Sequence, residues 1–459
     1  MAAPDEGPRR CGTARGASLR ALSAALACAL LLAGCGDAAR PGQAPGVCGD
    51  GVGPCACGDT VIADHRLTAD VVCTSTHARC DIDAFACTGL TLASGVMLDG
   101  GGHALVGPPV PSAAGGVPDA RGDALYGVEF PADVHGARVQ DLEVRGFVRG
   151  VVFRNGLRPC RDDADCGAGG CRAVPDEVRD TAPDPAARYC AGNVAAGVTV
   201  QHDAAALGEQ LGLFGFSLAA PDPDATDDVG GMNVIEGGVA RGIGDRGLHL
   251  SQARLNVVRD LRIEASTREN VHLLRGADDN ALVRLVSTRA GSGAPNVFVE
   301  DSKRNVLSEA VLEGSFVHVV GASDDNRFVA TQLAGVGARY DFETDVEAAT
   351  GLPRAPRGNV VLGGSVRRDG SASLPCVILD GASGTVFDDV VLQYGDEPPV
   401  PGDAPAEVLV ARDNPDPSRP NVFHVADCDP EGPDLRLRLD AGVSETPLVL
   451  QDRVCRGGR

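Results

Sequence analysis

The chain has very few of the residues that anchor large globular cores or basic surfaces. Its 459 residues include no Trp, 4 Tyr and 12 Phe, and Lys303 is its single lysine. Because aromatic side chains supply much of the buried area in compact domains, this composition favours narrow, repeated aliphatic layers. The formal net charge is −22, and such a chain repels polyphosphates. The composition therefore argues against nucleic acid as a partner.

The N-terminus is typical of an export signal. Four arginines precede the apolar run ALSAALACALLLAGC, which is too short to span a bilayer with ease. The run ends in Leu32-Ala33-Gly34-Cys35, which resembles the lipobox of bacterial lipoproteins. The resemblance implies a signal peptide over residues 1–34, lipidation of Cys35 and a flexible tether over 35–47. We therefore expect a lipid anchor at the cell envelope, with an ordinary cleaved signal peptide as the alternative.

Sixteen cysteines agree with export, because disulfides persist in oxidising compartments. They predict a cysteine-rich N-terminal cap with the first coil over residues 48–88 and a cysteine-rich insertion at about 157–192. An odd number of cysteines remains when Cys35 and the two cysteines of the signal are set aside. At least one thiol is therefore expected to be free or to pair outside the chain. Zinc is the alternative, although no CxxC pair is present. The insertion is expected to form its disulfides internally, among Cys160, Cys166, Cys171 and Cys190.

A unit that is too short to be a domain recurs along the chain. Asparagines open five segments at spacings of 21 to 25 residues, namely Asn233, Asn256, Asn280, Asn305 and Asn326. Each segment holds two short alternating stretches separated by turn residues, without a 3.6-residue apolar stripe long enough for a helix. This pattern predicts an all-β parallel β-helix over residues 89–428, followed by a C-terminal cap over 429–459.

The aligned asparagines are expected to have a structural role. Coils of a β-helix stack about 4.8 Å apart, so one residue of each coil forms a column along the axis. Asparagine amides in such a column hydrogen-bond to one another and to turn backbone. The sequence therefore predicts a buried asparagine column in the solenoid.

Two early stretches resemble the first coils of right-handed, pectate-lyase-like β-helix proteins, in particular the repeat of carbohydrate-binding proteins and sugar hydrolases. They are CGDTVIADHRLTADVVC and GLTLASGVMLDGGGHALVG, and the resemblance covers roughly residues 57–428. It implies a right-handed single-stranded parallel β-helix with a disulfide-rich cap and inserted loops, and a bond between Cys57 and Cys73. This scaffold hosts many activities, and the chain lacks a recognisable catalytic signature. We therefore expect noncatalytic recognition, with carbohydrate as the ligand, or a structural role; a polysaccharide lyase or glycoside hydrolase is the alternative.

One column of side chains is a candidate surface site. In the stretches GLHL, NVHL, NVFV and FVHV the flanking apolar residues are expected to face the core. The middle residues, His249, His272, Phe298 and His318, would then form an exposed ladder of rings on the outer face. The alternative is a cleft in which the histidines bind a transition metal or a sugar ring. If the stretch RYDF continues the series, Asp341 lies beside His318 and orients it.

Acidic residues form two further groups. Two pairs of aspartates, Asp278–Asp279 and Asp324–Asp325, each precede an asparagine of the column, and the two pairs are two coils apart. This placement predicts polar turns and not a catalytic carboxylate pair. An acidic loop departs from the EF-hand pattern and leaves only a looser calcium site as a hypothesis. The candidate calcium ligands are Asp222, Asp224, Asp227 and Asp228.

Overall fold

The computed structural model describes most of the chain beyond the predicted tether. The residues it describes are 46–49, 53–74, 86–108, 124–202, 214–220, 229–346, 351–369, 374–394, 408–424, 437–440, 443 and 448–450. The predicted signal peptide and Cys35 lie outside these ranges. Within them, we find no helix with the length and apolar character needed to cross a bilayer.

The described chain winds into a parallel β-helix, as the repeat predicted, and the helix is right-handed, as the family resemblance implied. Each full coil gives one strand to each of three long parallel sheets. One coil, for example, runs through Arg246–Ser251, Val257–Arg259 and Arg262–Glu264, and the chain then returns to the first sheet at Val271–Leu274. Strands that follow each other within a sheet are therefore one coil apart.

The three long sheets have 14, 13 and 11 strands. The strands of the first sheet are Val47–Cys48, Asp59–Val61, Ala86–Leu92, Ala124–Phe130, Arg149–Phe153, Phe214–Ala219, Arg246–Ser251, Val271–Leu274, Val297–Glu300, Val317–Val320, Tyr340–Glu343, Val377–Asp380, Val408–Arg412 and Leu437–Leu439. The strands of the second sheet are His65–Arg66, Met97–Asp99, Arg138–Gln140, Val194–Ala196, Val234–Glu236, Val257–Arg259, Ala281–Val283, Val306–Ser308, Arg327–Val329, Val360–Leu362, Val386–Asp388, Asn421–His424 and Leu448–Leu450. The strands of the third sheet are Val71–Val72, Ala104–Val106, Glu143–Arg145, Thr199–Gln201, Val239–Arg241, Arg262–Glu264, Val286–Thr288, Val311–Glu313, Gln332–Ala334, Ser365–Arg368 and Val391–Tyr394.

Short elements complete the described structure. Three two-stranded pairs lie outside the long sheets: Cys171–Ala173 with Arg188–Cys190, Gly230–Gly231 with Ala253–Arg254, and Asp345–Val346 with Pro353–Arg354. The helices are a 3-10 helix at Asp163–Gly169 and a single α-helical turn at Asp176–Arg179.

The described core holds buried aromatic rings in an early and in a late group of coils, with mainly aliphatic layers between them. Leu248 and Leu250 point inward from one strand of the first sheet, and each is 0% exposed. Further along the stack Tyr340 and Phe342 occupy the equivalent inward positions, with 1% and 0% exposed. Aromatic residues of earlier coils are also 0% exposed, namely Phe130, Phe153 and Phe216. Buried aromatic residues therefore lie on both sides of the aliphatic layers.

The five predicted asparagines form a hydrogen-bonded column. In each step the Oδ1 atom of one asparagine accepts from the backbone N–H of the asparagine one coil before it. For Asn256 and Asn280 this distance is 3.1 Å, and the Nδ2 atom of Asn256 donates to the same Oδ1 atom at 2.9 Å. The column continues beyond the five through Asn193 and Asn359, and at a later step Asn421 accepts from the backbone N–H of Thr385. Each buried hydrogen bond contributes about 1 kcal/mol, so the column binds successive turns together.

The paired aspartates before the column are turn residues. Asp279 and Asp325 both have φ of 56°, a left-handed conformation that Asp tolerates better than most residues. Asp279 is 0% exposed, and its carboxylate contacts Arg254 at 2.7 Å and Arg304 at 2.6 Å. These two arginines come from the preceding and following coils. The carboxylate therefore bridges three coils and stabilises the turn.

The described cysteines of the cap and the insertion are in disulfides. Cys57 is bonded to Cys73, which is the pair that the family resemblance implied, and Cys48 is bonded to Cys55. The insertion carries the bonds Cys160–Cys171 and Cys166–Cys190, both internal to it. The groupings of close cysteines that resemble metal sites consist of these disulfide cysteines together with Cys87, which is also disulfide-bonded. The bonded sulfurs are not available to bind zinc.

Candidate functional site

A stack of rings runs along the outer face of the first sheet. His249, His272, Phe298 and His318 are register partners on successive strands. The ring centroids lie 5.6 Å apart for His249 and His272, 4.9 Å for His272 and Phe298, and 5.1 Å for Phe298 and His318. Phe214 stacks on His249 at 4.5 Å. The four predicted rings and Phe214 therefore form a continuous series of ring contacts, edge-on between His249 and His272 and stacked elsewhere.

The prediction that this ladder is exposed is wrong for its first two histidines. His249 is 8% exposed and His272 is 2% exposed, whereas Phe298 and His318 are half-buried. Strand alternation decides which side of a sheet a side chain takes, but not what else lies over that side. The stack consequently runs from a buried end to a half-exposed end.

Burial keeps the first two imidazoles neutral. It lowers the pKa of His249 well below 6.5, and the nearby positive charge of Arg246 and Arg149 acts in the same direction. Burial also lowers the pKa of His272, although its contact with Glu300 opposes the shift. The Nδ1 atoms of both histidines and the Oγ atom of Ser217 are buried without a hydrogen-bond partner. Unpaired buried polar atoms of this kind cost about 1–3 kcal/mol each.

Two histidines of the stack form pairs with glutamates. His272 Nε2 lies 3.3 Å from Glu300 Oε2, a contact outside good hydrogen-bond geometry, and His318 Nε2 lies 2.9 Å from Glu343 Oε2. Each glutamate stands on the next coil, two residues beyond the register partner of its histidine. The two pairs therefore repeat the same arrangement at a distance of two coils, with Phe298 between the imidazoles.

The half-exposed pair has a third side chain beside it. Asp341 is the register partner of His318, as the sequence predicted. One imidazole nitrogen of His318 and one carboxylate oxygen each of Asp341 and Glu343 all lie within 4.8 Å of one another. The expected orienting contact is different, however, because Glu343 and not Asp341 bonds the imidazole. Alternation along the strand could have pointed to Glu343, since residues two apart share a face.

Charged neighbours set the electrostatics of this end. Arg339 contacts Asp341 Oδ2 at 3.4 Å and lies 3.6 Å from the centroid of the Phe316 ring. Burial raises the pKa of Asp341, and the negative charge of Glu343 adds to this shift, while His318 and Arg339 oppose it. One coil on, burial also raises the pKa of Asp380, although Arg412 contacts it at 2.9 Å. Three carboxylates are thus crowded at the half-exposed end of the stack.

A second column on the same face was not found from the sequence. Tyr126, Arg149, Phe214 and Arg246 are register partners on successive strands, so aromatic rings alternate with guanidinium groups. Arg149 lies 5.8 Å from the Tyr126 centroid and 5.0 Å from that of Phe214. Arg246 contacts Glu269 of the next coil at 3.1 Å. Its signal in the sequence was weak, because insertions separate the strands.

Asp222, Asp224, Asp227 and Asp228 lie outside the described residues, so the calcium hypothesis for that loop stays a prediction.

A scan against models of protein families finds no match, and a search of curated protein sequences also finds none. Solved structures that resemble the chain are pectate-lyase-like parallel β-helix proteins. The A-module of the mannuronan C-5 epimerase AlgE4 from Azotobacter vinelandii is 13% identical, with 78% of this chain and 91% of that chain covered and a TM-score of 0.37. An alginate lyase from a Paenibacillus species is 11% identical, with 74% and 99% covered and a TM-score of 0.32. A polygalacturonase from Erwinia carotovora is 11% identical, with 90% and 98% covered and a TM-score of 0.28. At these values the likeness carries no information on activity.

Proposed function

We propose that this protein is a lipid-anchored envelope β-helix that binds a neutral carbohydrate chain without turning it over. The observation that carries the proposal is the patch of hydrogen-bond acceptors at the half-exposed end of the ring stack. Glu343 and Asp380 are register partners there, and Asp341 and His318 lie beside them. Carboxylates accept strong hydrogen bonds from hydroxyl groups, which neutral saccharides present in quantity. The family resemblance supports carbohydrate as the ligand class.

The charge of the patch favours neutral over acidic saccharides. A uronate carboxylate at this position would meet three carboxylates, Asp341, Glu343 and Asp380, which costs binding energy through like-charge repulsion. Both faces of the Phe298 ring are covered by imidazoles, so a ligand reaches only its edge. Recognition is therefore expected to depend on hydroxyl groups more than on ring stacking.

A binding screen tests this function. Purified full-length protein in detergent is titrated with neutral glucans and mannans and with alginate and polygalacturonate. We expect saturable binding to a neutral polymer, and an affinity about fivefold lower for Glu343→Gln. This corresponds to about 1 kcal/mol, because the amide oxygen of Gln accepts a weaker hydrogen bond than the carboxylate. Glu313→Gln is the control, because this exposed carboxylate lies on the third sheet. Binding to uronate polymers alone, or an equal loss in both variants, would contradict the proposal.

The anchor has a separate test. Cys35→Ser removes the only thiol that the lipobox resemblance assigns to lipid, so the protein is expected to leave the membrane fraction. The described disulfides are typical of a protein that is exported to an oxidising compartment, and they are expected to form in the wild type and in Cys35→Ser alike. Retention of the variant in the membrane fraction would contradict a lipid anchor at Cys35.

A polysaccharide hydrolase or lyase is the second candidate, and one observation favours it. Asp341 has a raised pKa and lies beside His318, whose imidazole is held by Glu343. A carboxyl group with a raised pKa next to a positioned imidazole is suited to general acid–base chemistry. The test is the release of reducing ends or unsaturated sugars from each polymer. Turnover that is lost in Asp341→Asn would replace the binding role by an enzymatic one.

A further inference from the structure

The two imidazole–glutamate pairs differ in one side chain that can bind a cation. In the His318–Glu343 pair the register partner of the histidine is Asp341, whereas in the His272–Glu300 pair it is Phe298. One pair therefore has three donor groups and the other has two. Both pairs stand at the same place in the coil, so this difference is not a consequence of the backbone.

We propose that His318, Asp341 and Glu343 form a binding site for a divalent transition-metal cation. The inference does not rest on the proposed carbohydrate function, because it concerns the affinity for the metal alone. The three donor atoms lie within 4.8 Å of one another and are half-buried. Ligand atoms at about 2.0–2.2 Å from Zn²⁺ are separated by about 3.4 Å in a tetrahedral arrangement. Small side-chain rotations are sufficient to reach that spacing.

The donor set matches a transition metal better than calcium. One imidazole nitrogen and two carboxylate oxygens suit Zn²⁺, Fe²⁺ or Mn²⁺, whereas Ca²⁺ takes 6–8 oxygen ligands and Mg²⁺ near-ideal octahedral oxygen geometry. The two ionised carboxylates carry a charge of −2, which a divalent cation neutralises. Three protein ligands leave at least one coordination position for water or for a ligand from solution.

The surroundings provide positioning groups for the site. Phe298 stacks on the His318 ring at 5.1 Å and limits its rotation. Arg339 contacts Asp341 through Oδ2 alone at 3.4 Å, which is longer than a normal hydrogen bond. The carboxylates of Asp341 and Glu343 lie close together, and a bound cation would offset the repulsion between them.

Calorimetric titration with metal ions alone tests the inference. The sample is full-length protein without a histidine tag, treated with a chelator, and Zn²⁺ is the probe, with Ca²⁺ for comparison. We expect one Zn²⁺ per chain with saturable binding and an affinity for Ca²⁺ that is much weaker. Asp341→Asn is expected to lower the Zn²⁺ affinity by more than about tenfold, since even outer-shell partners of a metal contribute 10–100-fold.

Glu300→Gln is the matched control, because it changes the equivalent glutamate of the pair that has no third donor. It is expected to leave the Zn²⁺ affinity unchanged, and thermal unfolding of the metal-free variants shows that each is folded. Co²⁺ in place of Zn²⁺ gives a visible absorption spectrum that should disappear in His318→Asn. No saturable Zn²⁺ binding, or equal binding by wild type and Asp341→Asn, would overturn the inference. Metal binding without any saccharide binding would leave the inference intact and sink only the carbohydrate proposal.

Discussion

The His272–Glu300 and His318–Glu343 pairs take equivalent positions two coils apart, and their surroundings differ. The His272 side chain is 3% exposed, it is enclosed between His249 and Phe298, and its glutamate is 22% exposed. The His318 side chain is 19% exposed and its glutamate is 45% exposed. The repeating backbone therefore reproduces the position of a pair, while the neighbouring side chains decide whether the pair is buried or reaches solvent.

This difference shows how a solenoid can acquire a site without changing its fold. Each coil presents the same lattice of outward positions, so one substitution in a column changes the chemistry locally and leaves the other coils unaffected. At the register position beside the imidazole, Phe298 continues the ring stack, whereas Asp341 ends it and adds a carboxylate. The half-exposed end of the stack is accordingly where we place ligand binding.

The largest expected effect is the loss of the buried imidazole. His272→Ala removes a ring that contacts rings on both sides and leaves a cavity, so we expect the free energy of unfolding to fall by about 3 kcal/mol. His318→Ala, at the half-exposed end, should cost less than about 1 kcal/mol. Urea unfolding followed by circular dichroism measures both. Equal losses would show that burial does not separate the two pairs.

The pH dependence of stability should come partly from the buried end. The folded-state pKa of His249 is lower than its unfolded value of about 6.5, so its neutral form contributes fully above that pH. As the pH falls below 6.5 the unfolded chain binds the extra proton, and stability is lost by up to about 1.4 kcal/mol per pH unit until the folded pKa is reached.

His249→Phe removes this contribution and keeps a ring between Phe214 and His272. We expect the urea midpoint of unfolding to decrease less between pH 6.5 and pH 5 in the variant than in the wild type. Urea titrations at several pH values measure this slope. Parallel pH profiles for the two proteins would exclude His249 as a source of acid sensitivity.

Asp341→Asn should stabilise the metal-free protein while it weakens metal binding. The raised pKa of Asp341 means that folding disfavours its charged form, so its ionisation costs stability as the pH rises above about 3.8 and through the folded pKa. Removing the charge is expected to raise the free energy of unfolding at pH 7 by about 1 kcal/mol. Thermal unfolding without metal measures this gain. Destabilisation of the same size would assign Asp341 a structural role with Arg339.

The sequence was sufficient for the repeat and for the columns within it. The spacing of Asn233 to Asn326 gave the period, and alternation in the V-x-L stretches placed His249, His272, Phe298 and His318 in one register. Both inferences work because stacked parallel strands bring residues of equal phase together. Insertions hid Asn193, Asn359 and Asn421, since they change the spacing without changing the coil position.

Contacts that depend on packing could not be derived in this way. His249 and His272 are buried, and their contacts include the rings of Phe214 and Phe298. Alternation along a strand gives no information about such packing.

A second internal column was also missed. This column contains Gly247, where a Cβ atom would collide with Ile263 and with the backbone of the next coil. The next two coils place Asn270 and Asn296 in the column, and a 3.0 Å hydrogen bond links their side chains. Glycine gives way to asparagine along this column, which fits interior space that only the packed coils define.

The smallest expected effect is the direct coupling within the half-exposed pair. A double-mutant cycle with His318→Asn and Glu343→Gln should give a coupling energy of about 0.5 kcal/mol, because a solvated pair gains little in high dielectric. The equivalent cycle with His272→Asn and Glu300→Gln should give about 1–2 kcal/mol, since the His272 side chain is buried and the effective dielectric constant around it is lower. Urea unfolding of metal-free protein measures both. Equal coupling energies would mean that burial does not distinguish the two pairs energetically. The metal-binding role of the His318–Glu343 pair would then depend on its third donor, Asp341, alone.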